Sequence, residues 1–191
     1  MLPESLLLIT GNAHKLREVQ QVLPGVQGWD LDLPEIQQTD PRRVIEAKLL
    51  EAARLSAAPA LMVEDTSLYL AALGELPGPL TKWFIQPGSL GLEELVALAR
   101  RRGQTAARAS TWLGLLLRQN TNPGLQMFFF EGSVNGQLVP PRGSQGFGWD
   151  PIFVPAGSTL TFAEMDANTK QCYSMRSLAL KALIENFEPV S

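Results

Sequence analysis

One cysteine, Cys172, and one histidine, His14, are all of either type that the 191 residues provide. A single thiol excludes an internal disulfide framework and suits a reducing compartment. A single imidazole argues against histidine-ligated zinc. Cys172 has no histidine partner in a motif, and Ser144 lacks the G-x-S-x-G elbow, so covalent nucleophilic machinery is not expected. Charged residues make up only 18%, and the formal net charge is −3, so no overall basic field favours a nucleic-acid backbone. No apolar run approaches the length of a membrane span. The opening "MLPESLLLITGN" lacks the basic n-region and long apolar stretch of a secretory signal. No tandem repeat is visible, and the 14 prolines are scattered. What is present is 45% hydrophobic residues, ample for a core in a single domain spanning 1–191, of one lobe or two.

Residues 5–10 read as a buried first strand. The next helix is capped by Asn12, with Leu16, Val19 and Leu23 as its stripe. Residues 29–36 read as a short strand running into a loop at Pro34. Asp40-Pro41 opens a helix to about Leu55, with Ile45, Leu49 and Ala52 inward. Residues 60–65 read as a third strand ending on Glu64 and Asp65, then "TSLYLAAL" as a short helix, "GELPGPL" as a rigid loop, and a helix capped by Ser89 with Leu92, Leu95, Val96 and Ala99 on one face. After Gly103 the chain becomes strand-rich, with turns expected at Asn120–Gly124 and Asn135-Gly136, and "PIFVPAG" as an edge. "TKQCYSMRSLALKALIENF" closes as one amphipathic helix with Met175, Leu178, Ala182 and Ile184 inward. The pattern predicts a mixed α/β fold around a central sheet. The "FFF" of the strand at 125–139 is too apolar for an isolated edge; core and dimer interface both fit it.

The chemistry-bearing residues are acids, cations and one aromatic loop. The strand–Gly11–helix junction offers free N–H groups and, one turn in, Lys15, which together suit an anion; an ordinary surface turn fits as well. The glycines of a Walker loop or a dinucleotide fingerprint are missing. Glu35 in a loop and Asp65 at a strand end suit Mg²⁺, which takes few protein oxygens and keeps its waters; solvated surface acids are the alternative. Lys48, Lys82, Lys170 and Arg176 are singly read as surface residues. Lys82, between apolar neighbours, either reaches to water or faces a buried anion. Together with the acids they suggest a metal-bound polyphosphate. "GSQGFGWDP" at 143–151 packs glycines, Phe147, Trp149 and Asp150 into one loop, which suits a flat ligand with a polar edge.

"TGNAHK", "LPEIQ", "VEDTSLYLAALGELPGPLTKWF", "PRGSQGFGWDPIF", "TFAEM" and "SMRSLAL" resemble, in order and across nearly the whole chain, the eukaryotic-type inosine triphosphate pyrophosphatase family. The resemblance implies an elongated α/β fold, with a mixed central sheet flanked by helices and two lobes around an active-site cleft. It implies a cytoplasmic homodimer that hydrolyses ITP, dITP and XTP to monophosphate and pyrophosphate with Mg²⁺ or Mn²⁺. On this chain it places the phosphates on Thr10, Gly11, Asn12, Ala13, His14 and Lys15, and the metal on Glu35 and Asp65. Asp65 also lies by the attacking water, and Lys15 joins it as a catalytic group. It assigns nucleotide contacts to Lys48, Thr66 and Lys82, base and sugar to Phe147, Gly148, Trp149 and Asp150, and terminal contacts to Lys170, Met175 and Arg176. Phe147 can stack on the base while Trp149 either shares that role or packs behind the loop. The family usually reads Ser-His-Arg where this chain has Ser174-Met175-Arg176. Met175 is therefore either a base-pocket departure or core.

Arg176 offers only donors. It matches the O6 acceptor of a 6-keto purine and mismatches the amino group of adenine, and a missed buried hydrogen bond costs roughly 1–3 kcal/mol. Rival readings are a triphosphatase releasing orthophosphate, a non-catalytic nucleotide sensor and, last, a nucleic-acid module. No stable nucleic-acid or membrane partner is expected.

Overall fold

The computed structural model describes residues 5–118 and 124–187. Its elements in chain order are β1 (Leu7–Ile9), α1 (Ala13–Val22), β2 (Gln27–Trp29), α2 (Pro41–Leu55), β3 (Ala60–Leu70), β4 (Leu76–Gly78), α3 (Thr81–Ile85), α4 (Gly91–Arg101), β5 (Ala106–Arg118), β6 (Leu125–Leu138), β7 (Phe153–Pro155), α5 (Ala167–Tyr173) and α6 (Met175–Phe187). Helices flank one mixed seven-stranded sheet of order β2-β1-β3-β5-β6-β7, with β4 also paired to β3. The described chain forms two compact units, with β3, β5 and β6 contributing to both.

In the first unit, β1 is parallel to β2 on one side and to β3 on the other. The chain leaves β1 through α1 to β2, then returns through α2 past β1 to β3. Reversal of direction about β1 sends the two helices to opposite faces. Alternation along the strands then defines two apolar layers. Leu8, Met62, Leu113, Leu115 and Phe130 meet Val19 of α1 and Leu180 and Leu183 of α6. Ile9, Leu61, Val63 and Leu116 meet Ile45, Leu49 and Ala52 of α2. The three phenylalanines of β6 follow the same alternation: Phe128 and Phe130 join the α1/α6 layer, and Phe129 the α2 layer. Phe130 is buried, and Phe128 and Phe129 are partly buried.

In the second unit, α4 buries Leu95, Val96 and Ala99 against Leu68 and Leu70 of β3, Ala107 and Ala109 of β5, and an aromatic group of Trp149, Phe153 and Phe162.

Several local expectations are corrected. "TSLYL" continues β3 rather than forming a helix, because residues 68–70 pair antiparallel with β4, itself within the expected rigid loop. Glu64 and Asp65 consequently lie mid-strand. β2 ends at Trp29, so residues 30–36 are not strand. The N-cap of α4 is Leu90; the Ser89 hydroxyl instead donates to the Gln86 carbonyl. Asn135-Gly136 is no turn: β6 runs straight through it, Gly136 pairs with Pro155, and a Cβ there would meet the Val154 oxygen at 2.3 Å. The turn expected at Asn120–Gly124 lies outside the described residues except for Gly124.

The terminal helix is two helices, broken at Ser174, which is extended. Leu178 is 47% exposed, while Met175, Arg176, Ala179, Leu180 and Leu183 are buried. The buried face therefore runs 176-179-180-183. It begins with a charged residue, which an apolar-stripe reading does not pick up.

Candidate active site

In an open parallel sheet, ligands collect beyond the carboxyl ends of strands where the chain reverses direction. Here that point is the carboxyl end of β1, between β1 and β3. The register Leu8↔Met62 carries Thr10 to the level of Glu64. The Thr10–Lys15 junction and the two acids of β3 therefore meet because of strand order and register.

The junction is more closed than its sequence suggests. The Thr10 hydroxyl accepts from the Asn12 N–H at 3.1 Å, and the Asn12 side chain accepts from His14 and Lys15 N–H at 2.9 and 3.3 Å. Three of the N–H groups expected to face an anion are already capped. The Lys15 ammonium and the helix dipole remain as attractions.

Strand parity sends the adjacent acids to opposite faces. Glu64 follows Met62 into the α1/α6 layer, and Asp65 follows Val63 into the α2 layer. The Glu64 carboxylate is fully buried. One oxygen, Oε1, accepts from Lys15 Nζ at 3.0 Å and from Arg176 Nη2 at 3.0 Å; Oε2 accepts from Arg176 Nε at 2.6 Å. Arg176 Nη1 also donates to Glu18. Burial pushes the Glu64 carboxyl up, but Arg176 and Lys15 overcome it and hold it at about 2. Burial opposes the charge of Arg176, and its two glutamates more than restore it, so its pKa lies above the ordinary value.

On the other face, Lys48 reaches from α2 between Glu35 Oε1, at 2.7 Å, and Asp65 Oδ1, at 3.1 Å. Burial works against the ammonium, yet Asp65 and Glu35 together raise its pKa. Asp65 gains less from the arrangement. Its burial, assisted by the nearby Glu35, outweighs Lys48 and Lys15, so its carboxyl titrates above its usual range. The second oxygen, Asp65 Oδ2, is buried and has no hydrogen-bond partner among the described residues.

That orphaned oxygen, Glu35 and the hard carboxylate donors fit a small divalent cation. Among the described residues no three or more His, Cys, Asp or Glu side chains converge on one point. An ion here would complete its shell from water and from a bound ligand.

The aromatic loop lies in the second unit, and its Asp150 turns inward. Asp150 Oδ2 accepts from the Phe147 N–H and from Lys170 Nζ, each at 2.8 Å. Gly146, at φ 78°, makes room for it: a Cβ there would come within 2.2 Å of that same oxygen. Lys170 Nζ lies 5.0 Å from the centroid of the Phe147 ring, a cation–π contact. The loop itself thus uses Asp150 Oδ2.

Trp149 is buried and packs edge-on against Phe153 at 5.5 Å, which is the packing-behind-the-loop alternative. Phe147 is only half-buried, and Gly148 is exposed. Met175 is 2% exposed within the second unit's core. Lys82 is exposed in the first turn of α3, 5.7 Å over the Trp83 ring, and Thr66 is half-buried one residue beyond Asp65.

In the first unit the structure thus gathers Lys15 and Arg176 on Glu64 at one face of β3 and Glu35, Lys48 and Asp65 at the other, with Thr10 and Asn12 at the end of β1; in the second it gathers Phe147, Asp150 and Lys170. Arg176 is 1% exposed, and its Nε, Nη1 and Nη2 each donate to a carboxylate. Glu64 and Glu18 were not singled out as site residues. Glu18 stands one helical turn from Lys15, a weak signal for a shared face; nothing local links either glutamate to Arg176.

A parallel β2-β1-β3 arrangement with lysines and carboxylates at its reversal point defines an α/β protein with a charged crevice where such folds bind ligands. The chain belongs to the Ham1 family, whose sequence pattern matches residues 6–186. It is 42% identical over 192 residues to a protein of Batrachochytrium dendrobatidis named inosine triphosphate pyrophosphatase, covering 98% of this chain and 96% of that one. Its fold resembles a HAM1 protein from Coxiella burnetii, at 23% identity and a TM-score of 0.75, over 97% of this chain and 98% of that one. It also resembles the nucleoside-triphosphatase, or dITP/XTP pyrophosphatase, of Mycobacterium abscessus, at 26% identity and a TM-score of 0.67, over 94% and 98%.

Proposed function

We propose that this chain hydrolyses deaminated purine nucleoside triphosphates (ITP, dITP and XTP) between the α- and β-phosphates, releasing monophosphate and pyrophosphate and so cleansing the nucleotide pool. The names carried by its relatives support the substrate class. The observation that carries the chemistry is Asp65: a half-buried carboxylate at the reversal point of the sheet, with one oxygen on Lys48, the other buried and unpartnered among the described residues, and a raised pKa.

A base is most effective when its pKa approaches the working pH. Asp65 takes a proton from water as the water oxygen bonds to the α-phosphorus. The α–β bridging bond breaks, and its electron pair leaves with pyrophosphate. Lys15 meets the negative charge that grows on the leaving group. Lys48 holds Glu35 and Asp65 together, keeping the base oriented. Glu35 and Asp65 would hold Mg²⁺ or Mn²⁺, which when bound supplies positive charge to the polyphosphate. Phe147 offers a half-buried ring for stacking on the base. Thr66 and Lys82 are assigned to the nucleotide on the family pattern alone.

A cytoplasmic homodimer is part of the same reading. It is supported by the family pattern, the lone cysteine, and the exposed apolar Leu76, Trp83 and Leu90. Among the described residues no helix is long and apolar enough to cross a membrane.

A turnover screen with Mg²⁺ across ITP, XTP, dITP, GTP and ATP, with products separated by ion chromatography, tests the proposal. Pyrophosphate and monophosphate from the 6-keto substrates are expected. Orthophosphate and diphosphate would establish a triphosphatase instead, and binding without turnover a sensor.

A further inference from the structure

Glu64 has more cationic partners than its burial requires. A bidentate arginine alone satisfies both oxygens of a carboxylate, and Arg176 already provides that, through Nε at 2.6 Å and Nη2 at 3.0 Å. Lys15 adds a third donor at 3.0 Å, on the oxygen that Arg176 Nη2 also uses. The group that gains from this extra contact is the lysine. Its stem is long and flexible, its side chain stays 19% exposed, and its acceptor is a 1% exposed carboxylate on a central strand.

Arg176 is held from its other side by Glu18, which shares α1 with Lys15. The contacts close a ring: Lys15 to Glu64 on β3, Glu64 to Arg176 on α6, Arg176 to Glu18, and along one turn of α1 back to Lys15. A ring through three elements fixes an ammonium far better than a single surface ion pair, because none of its members can turn away without breaking a buried pair.

We propose that Glu64 is a positioning residue: through this ring it holds the Lys15 ammonium in one place, so that the lysine meets the leaving phosphates without rearranging. The proposal rests on the reading of Lys15 as a phosphate-binding group. Arg176 then acts through Glu64, as a brace for the lysine.

The test uses the full chain with Glu64→Gln, Glu64→Asp and Lys15→Met. In Glu64→Gln the cations remain and the placement is lost. Turnover of ITP with Mg²⁺ is expected to fall roughly 10- to 100-fold, the scale of an orientation error, without a rise in KM. Lys15→Met is expected to lower kcat at least as far and, since it also removes charge that holds the bound phosphates, to raise KM. Glu64→Asp keeps the charge but is one methylene too short for three donors; it is expected to recover the melting temperature lost in Glu64→Gln but not the turnover.

Lysine-selective nitrogen NMR, with the Lys15 signal assigned from Lys15→Met, reads the placement without substrate. A sharp, slowly exchanging Lys15 ammonium in the parent should broaden in both Glu64 variants. Unchanged kcat per folded molecule in Glu64→Gln, full recovery of kcat by Glu64→Asp, or a Lys15 ammonium that exchanges equally fast in parent and variants would each overturn the proposal. If Glu64→Gln does not fold, Glu64→Asp and the NMR comparison decide it. A parent that turns over no nucleotide would defeat the functional reading while leaving the NMR result to judge the ring.

Discussion

Replacing Asp65 by asparagine keeps the shape of the side chain and removes its charge. Two opposed effects on stability follow from its surroundings. Folding raises the pKa of this carboxyl, so at neutral pH the ionised form is less favourable in the folded chain than in the unfolded one. Taking the charge away relieves that penalty, and Lys48 keeps Glu35 as its partner. Against this, the new amide places an NH₂ where Asp65 Oδ2 now lies buried without a partner, at a cost of about 1–3 kcal/mol. The two terms offset, and for a chain of this size a residual of about 1 kcal/mol moves Tm by roughly 2–4 °C. Turnover has no such compensation. Loss of a positioned base alone costs about 10²–10⁴-fold, and loss of a cation-binding oxygen adds to it. The expected result is a kcat at least about a thousandfold lower for ITP at saturating Mg²⁺, with Tm within about 5 °C of the parent. Calorimetry and a pyrophosphate-release assay on the same preparation measure both. A kcat near the parent value would remove Asp65 from the chemistry. A large fall in Tm accompanied by a proportional loss of folded protein would make it a structural residue.

Glu35→Gln leaves Lys48 bonded to Asp65 but removes one carboxylate from the pair, so half-saturating Mg²⁺ should rise about tenfold or more; an unchanged titration would take Glu35 out of the site. Glu64 is held at about 2 in the folded chain against an ordinary 4.5, so its contribution is complete above pH 4.5 and is lost as pH falls toward 2. Roughly 3 kcal/mol of urea-measured stability should disappear across that window, and Glu64→Gln should flatten the slope; parallel slopes would contradict the ion pairs. Met175 is buried in the second unit's core, so Met175→His should leave the kcat/KM ratios among ITP, XTP, GTP and ATP within about twofold, or about 0.4 kcal/mol; a sharpened ITP preference would return position 175 to the base pocket. Sedimentation at micromolar protein should show a dimer, and a single species near 20.9 kDa would contradict it.

What was legible in the sequence was whatever is coded locally. Asp40-Pro41 marks the start of α2 because a cap and a proline at the first helical position act within one turn. Asn12 caps α1 for the same reason. What was not legible depends on partners distant in sequence. "TSLYL" carries an apolar pattern open to either period, and only pairing with β4 and β5 makes it strand. Gly136 follows an asparagine, a strong turn signal, but here the glycine is required for the close approach of β7. The clearest case is Arg176. Its glutamate partners lie 112 and 158 residues away, so it reads as a free donor until the fold supplies two carboxylates for it. The family pattern nominated position 176 without indicating that its guanidinium would be occupied.

The two adjacent acids of β3 look alike in sequence, and the sheet gives them different work. On the α1/α6 face, Glu64 accepts from Lys15 and Arg176, and Arg176 also donates to Glu18. On the α2 face, Asp65 and Glu35 both accept from Lys48, while Asp65 Oδ2 is buried without a hydrogen-bond partner among the described residues. A buried ring resists change, because every member that leaves strands a charge. A buried carboxylate oxygen with no partner is the opposite, a place where a cation lowers the energy. The raised pKa of Asp65, which burial causes first, marks the same shortfall of solvation. The contrast falls on one strand because parity separates residue 65 from residue 64.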